Sequence, residues 1–233
     1  MTPVTETLAP GARPGWTGRL WTETETVYAA ILDHPFIKGL TSGELSTDSF
    51  VQFISQDTHY LQEYVRTLLT LAAKAPDFAA TRLLTTHAAA AAAAEAGLHA
   101  ELMTDLGRDP AELLAFDVRP ATRAYTSFLL ATAFSGSFAE GLAAVIPCFW
   151  IYAEVGKHLN QLGSPNPVYQ RWIDSYASDD YLTEVLLALD LTDQVGTALS
   201  PEAEAVARQR FRTAAQYEWM FWDAAYRLEE WPV

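Results

Sequence analysis

The chain has 233 residues, 50% of them hydrophobic and 12% aromatic, and its 15 basic against 29 acidic side chains leave a net charge of −14. That apolar fraction excludes a disordered chain, and the acidic balance argues against nucleic-acid phosphates and anionic membrane surfaces, which recruit clustered Lys and Arg. The single cysteine, Cys148, excludes an intrachain disulfide, a Cys-rich zinc site and an iron–sulfur cluster.

Residues 1–15 are rich in Pro, Gly and Thr and are expected to be a mobile tail. They lack the basic start and apolar run of a signal peptide. A first helix is predicted from Trp16 to Leu32, closed by His34-Pro35, because the residue before proline avoids the helical region. Gly39 to Glu44 reads as a connection. Ser46-Thr47-Asp48 supplies N-cap candidates for a long helix to about Lys74. Its apolar positions, among them Phe50, Phe53, Ile54, Leu61, Tyr64 and Leu68, share one face at spacings of three and four. Pro76-Asp77 starts a helix to about Gly107 that contains seven alanines, Ala88 to Ala94. Such a run is a strong helix former and a thin wall against which another helix can pack closely.

Pro110 opens a short helix through Leu114, and Pro120 opens another that Gly136-Ser137 interrupts. The helix from Phe138 to Leu162 is apolar on nearly all sides. Its densest apolar stretch, Leu142 to Ala153, is too short to span a bilayer and reads as buried. Asn166-Pro167 and Ser178-Asp179-Asp180 start two further helices, ending near Tyr176-Ala177 and Gln194. Ser200-Pro201-Glu202 combines cap, proline and early acid and starts the last helix, to about Leu228. No strand alternation is present. The chain is expected to be a single all-α domain over residues 16–233, cytoplasmic and without nucleic-acid or membrane partners.

Three polar residues sit on faces that the periodicity marks as buried. Asp57 lies on the core stripe of its helix, with Tyr60 one turn on. Glu218 falls among Phe211, Ala214, Phe221, Trp222 and Ala225. An unpaired carboxylate in such a place is costly. A buried ion pair satisfies the pattern, and so does a site: burial raises a carboxyl pKa toward the range useful in proton transfer. Cys148 precedes Tyr152 by one turn on the same face, just after Pro147, which removes a helical hydrogen bond. A buried thiol serves either as a small hydrophobe or as a nucleophile. Glu95 and His99 are four apart, but no Glu-x-x-His step accompanies them, so a di-iron bundle is not supported. His34, a conceivable haem ligand, reads as a turn residue. Neither a phosphate-binding loop nor a Gly-x-Ser-x-Gly elbow is present.

Four segments together carry a family pattern. They are His34-Pro35-Phe36 with Gln56-Asp57-Thr58-His59-Tyr60-Leu61; Arg123-Ala124-Tyr125-Thr126-Ser127-Phe128-Leu129; Pro147-Cys148-Phe149-Trp150-Ile151-Tyr152-Ala153-Glu154-Val155-Gly156 with Tyr169 to Tyr176; and Tyr217-Glu218-Trp219-Met220-Phe221-Trp222-Asp223. Their order and content resemble the TenA family, thiaminase II or aminopyrimidine aminohydrolases with a haem-oxygenase-like multi-helix fold, in the subgroup that uses a cysteine. The resemblance implies hydrolysis of 4-amino-5-aminomethyl-2-methylpyrimidine, or of thiamin, to 4-amino-5-hydroxymethyl-2-methylpyrimidine in thiamin salvage. It implies neither metal nor organic cofactor, and a homotetramer.

On the matching positions, Cys148 would be the nucleophile and Glu218 the proton donor and acceptor. Asp57 would hold the aminopyrimidine edge and Tyr176 another ring nitrogen. Tyr125 would stack on the ring, and Tyr60 and Tyr152 would orient the acid or the thiol. His59, where relatives have an aromatic, and the alanine run depart from the pattern without touching these residues. A pyrimidine-binding or regulatory protein on the same scaffold and a haem-oxygenase-like oxidase are the competing readings.

Overall fold

The structure, a computed structural model, describes residues 13–233, apart from the side chains of residues 94–96. Most of the expected N-terminal tail lies outside the described residues. Arg13, within its described part, pairs with Asp190 and Asp193.

The first predicted helix is two: α1 (Trp16–Thr22) and α2 (Glu25–Leu32). The break falls in the Thr-Glu-Thr-Glu-Thr run, where the Thr24 hydroxyl donates to Trp21 O at 3.0 Å. Side-chain bonds of this kind compete with continued helix. The helix α2 ends at Leu32, just before His34-Pro35, as expected, but the same dipeptide also starts another helix. His34 caps α3 (Pro35–Ser42), its Nδ1 accepting from Phe36 N at 3.1 Å, with Pro35 at the first helical position. The expected connection at Gly39 to Glu44 is therefore partly helix, and Gly43 ends it at φ 74°, in the left-handed region open to glycine.

The helix α4 (Thr47–Ala72) is capped by Ser46 as the sequence indicates. The third predicted helix divides into α5 (Phe78–Ala94), a π-helical turn (Glu95–His99) and α6 (Ala100–Asp105). A single 3-10 stretch (Pro110–Leu114) leads to α7 (Pro120–Ser135). Then follow α8 (Phe138–Leu162), α9 (Pro167–Tyr176), α10 (Asp179–Gly196) and α11 (Pro201–Tyr226). Among the described residues the regular structure is entirely helical.

The helix α8 is the axis of the bundle. By length and composition it could cross a membrane, but here it is mostly buried, with α4, α7, α9, α10 and α11 packed around it. Ser137 and Glu140 close a reciprocal cap at its start. One aromatic block forms the floor beside it. Phe53 stacks on Trp222 at 4.7 Å and 8°, and Trp222 stacks on Tyr152 at 5.1 Å and 29°. Each such pair adds about 0.5–1.5 kcal/mol beyond the burial of its area.

Close approach of α9 depends on one position of α8. A Cβ built on Gly156 would lie 2.8 Å from the carbonyl carbon, carbonyl oxygen and Cβ of Tyr176. The end of α9 therefore rests on bare α8 backbone, which sets the position of Tyr176. In an exposed helix Gly→Ala stabilises by about 1 kcal/mol. Here Gly156→Ala is expected to destabilise by about 1–3 kcal/mol, measured by chemical denaturation. A midpoint equal to or above that of the parent chain would refute the close contact.

Candidate active site

A cavity of about 150 Å³ lies between α4, α5, α8, α9 and α10. That volume holds a single six-membered ring. Asp57, Cys148, Tyr152 and Tyr176, all singled out in the sequence, stand on its wall. Among the described residues, the wall contains two carboxyl groups, Asp57 and Glu184, and neither Lys nor Arg. Such a lining disfavours anionic ligands and suits neutral or cationic ones.

The turn of α8 that bears Cys148 is held at its backbone. Pro147 has no N–H to give. On either side of it, Tyr64 of α4 donates to Val145 O at 2.9 Å and Tyr181 of α10 donates to Phe149 O at 3.2 Å. Cys148 itself is half-buried. Burial raises the thiol pKa well above its usual value, and the nearby charge of Glu218 raises it further. The hydroxyls of Tyr60 and Tyr64 oppose that rise, while Asp57 adds to it. At rest the group is a thiol.

Glu218 is 2% exposed. Burial raises its pKa to about 8; Tyr125, donating to Oε1 at 2.5 Å, opposes the shift, and the charge of Asp57 adds to it. The acid is thus mostly protonated at neutral pH. Glu218, Tyr60 and Tyr125 are not on the cavity wall. Tyr125, expected to stack on a bound ring, is stacked on Tyr217 at 5.2 Å and 13° and lies 5.0 Å from the Tyr60 ring. Its hydroxyl is committed to Glu218. The Tyr60 hydroxyl is buried without an aligned hydrogen-bond partner.

Asp57 does not pair with an arginine. His99 Nε2 lies 3.1 Å from Asp57 Oδ2, and Thr58 Oγ1 holds His99 Nδ1 at 2.8 Å. The contact has ion-pair distance but not hydrogen-bond alignment, which leaves Oδ2 buried and open to a donor. The π-helical turn presents His99 here, and turns of this kind recur at functional sites. In the sequence His99 stood out only as half of a possible metal pair with Glu95. His34 is engaged at both ring nitrogens, by Phe36 N and by Asp223 at 3.4 Å, which leaves no lone pair for haem. His59 is half-buried and bonds Phe116 O at 2.8 Å.

The sequence reading missed Tyr64, Tyr181, Glu184 and His87. Tyr64 was taken for a core position of α4. The α10 residues lie on a helix read only for its boundaries, and His87 was hidden by the alanines that follow it.

The family model described as TENA/THI-4/PQQC matches residues 21–228. An aminopyrimidine aminohydrolase of Bacillus subtilis strain 168 is 35% identical over 198 residues, covering 85% of this chain and 84% of that protein. The thiamine biosynthesis multifunctional protein ThiED of Corynebacterium efficiens is 37% identical over 225 residues, 96% of this chain; the chain spans only 30% of that protein. Among solved structures, a TenA homologue from P. horikoshii OT3 superposes with a TM-score of 0.83 at 28% identity, covering 91% of this chain and 99% of that one. A domain with a heme oxygenase-like fold from Shewanella denitrificans OS217 gives a TM-score of 0.72 at 14% identity, covering 90% of this chain and 91% of that one, a likeness of fold alone. With the fold, the ordered motifs and the family model in agreement over nearly the whole described chain, this protein belongs to the TENA/THI-4/PQQC family.

Proposed function

We propose that the chain is an aminopyrimidine aminohydrolase, acting on 4-amino-5-aminomethyl-2-methylpyrimidine or on thiamin with Cys148 as nucleophile and Glu218 as acid and base. The observation that carries this reading is a one-ring cavity with a thiol and two carboxyl groups on its described wall, backed by a further carboxyl whose pKa is about 8. The absence of Lys and Arg from that wall favours an unphosphorylated pyrimidine.

Direct displacement at the methylene is slow, and covalent catalysis divides it. The Cys148 S–H adds across a ring C=N bond, sulfur to carbon and proton to nitrogen, so that the S–H bond and the ring π bond are spent as the C–S and N–H bonds form. The ring nitrogens and the 4-amino group then push electrons toward the methylene and expel the amine, which departs with a proton. Water adds to the exocyclic methylene, and loss of the sulfur restores the aromatic ring. The sum is substrate plus water giving the hydroxymethylpyrimidine plus ammonia.

Asp57, oriented by His99, takes the donor edge of the aminopyrimidine. Tyr176 bonds a ring nitrogen, and Tyr152 lies against Tyr176 at 5.0 Å. Glu218 exchanges its proton with the Cys148 side of the site, where its charge bears on the thiol. Tyr60 and Tyr125 hold the two in register. A free thiol nucleophile needs a reducing compartment, which supports the cytoplasm. Phe78 and Phe134, 81% and 68% exposed, offer apolar surface for the homotetramer that the family resemblance implies.

Ammonia release from the aminomethylpyrimidine tests the activity; its absence across a panel of pyrimidines and thiamin would sink the reading. Cys148→Ala is expected to lower kcat by more than roughly 10³-fold, and Glu218→Gln by about 10²–10⁴-fold. A fully active Cys148→Ala would remove the thiol mechanism. Asp57→Asn is expected to weaken substrate binding by about tenfold or more, read by calorimetry; unchanged affinity would return Asp57 to a structural role.

Glu218 also makes stability depend on pH. Its folded pKa, about 8, lies above the ordinary carboxyl value, so between the two the folded chain holds a proton that the unfolded chain has lost. Its contribution to stability therefore falls as pH rises from the ordinary value to about 8, with a slope of at most about 1.4 kcal/mol per pH unit. Glu218→Gln lacks this loss. Its melting temperature relative to the parent chain is expected to rise from pH 5 to pH 8, and a constant difference would contradict the raised pKa.

A further inference from the structure

His87 stands on α5 just before the alanine run. It is 1% exposed, and neither ring nitrogen has a hydrogen-bond partner. Burial lowers its pKa to about 4. At neutral pH the ring is therefore uncharged and offers one N–H donor and one lone-pair acceptor. Buried polar groups are normally paired, and this one has no partner that would explain its place in the fold. Its ring packs against Phe149, centroids 4.9 Å apart, and Phe149 is the residue after Cys148.

His87 and Phe149 both line the cavity that holds Cys148 and Asp57. Among the described wall residues, only Asp57 and His87 have buried polar side-chain atoms without a hydrogen-bond partner. They come from different helices, α4 and α5. One cavity with two such groups fits a ligand that hydrogen-bonds at two places. The aminopyrimidine edge accounts for Asp57. Around His87 the wall is made of Ala90 and Ala91, with Glu184 of α10 on the same cavity. The small alanines leave room there, and the carboxyl favours a cationic or N–H-bearing group.

We propose that His87 is a specificity-determining residue that hydrogen-bonds the leaving group on the substrate's methylene, and that Glu184 completes with it a subsite for an amine. This rests on the hydrolase reading above. In the reaction the oxygen of water replaces the nitrogen at the methylene, and the amine leaves with a proton. The lone pair of His87 accepts an N–H of that amine. The imidazole is too weakly basic to take the proton itself, so it selects and positions the leaving group.

The test uses the full chain, His87→Phe, which keeps a ring against Phe149 without polar atoms, and His87→Gln, which restores a donor and an acceptor. Two ligands share the pyrimidine: the aminomethyl substrate, and 4-amino-2,5-dimethylpyrimidine, which has no leaving group. His87→Phe is expected to lose about tenfold in kcat/KM on the aminomethyl substrate, with a much smaller change in Kd for the dimethylpyrimidine. His87→Gln is expected to recover part of the loss. The melting temperature of His87→Phe is expected at or above that of the parent chain, since no hydrogen bond is removed. Equal losses on both ligands, no loss on either, or a strongly lowered melting temperature overturns the assignment. If the parent chain releases no ammonia, the hydrolase reading fails and this subsite with it; an active parent with an indifferent His87→Phe overturns the subsite alone.

Discussion

A carboxyl group and a thiol share the apolar interior of this bundle, and the charge of the carboxyl raises the cost of ionising the thiol. Glu218 is the largest charge influence on Cys148, and burial is the larger influence on both. At neutral pH the thiol holds its proton and the carboxyl mostly holds its own. Much of the surrounding structure serves to keep that pair dry and in place. Tyr125 holds the acid, while Tyr64 and Tyr181 fix the α8 backbone on either side of the thiol.

The constraints come from several helices, Tyr64 reaching α8 from α4 and Tyr181 from α10. The bare backbone at Gly156 admits the end of α9 and so places Tyr176 on the wall. The π-helical turn after α5 delivers His99 to Asp57, and the Thr58 hydroxyl fixes the ring. The aromatic block of Phe53, Trp222 and Tyr152 gives the site a rigid floor. A site held on helices in this way keeps its geometry more closely than one carried by loops.

The cavity also leaves polar atoms unpaired, at Asp57 Oδ2 and at both nitrogens of His87. Removing one partner of a buried group typically costs about 1–3 kcal/mol, so a fold selected for stability alone would pair or replace them. Stability surrendered at a recognition surface is common where function requires it. The two carboxyl groups of the described wall, with no Lys or Arg among its residues, extend the same logic to charge and favour a cationic or neutral guest over an anionic one.

The sequence by itself determined the helices and most of their caps. Ser46, Ser137, Asn166, Ser178 and Ser200 each act where their residue types indicated. It also marked Asp57, Cys148 and Glu218, because periodicity identifies the buried face of a residue's own helix. It placed the end of α2 before His34-Pro35 but not the start of α3 at the same dipeptide, and it did not register the break at Thr24 or the π turn. Only the tertiary structure decided what lies across from each face. His99 stands beside Asp57, Tyr125 bonds Glu218, and His87 is on the cavity wall. These contacts join helices far apart in sequence, and packing, not local spacing, sets them.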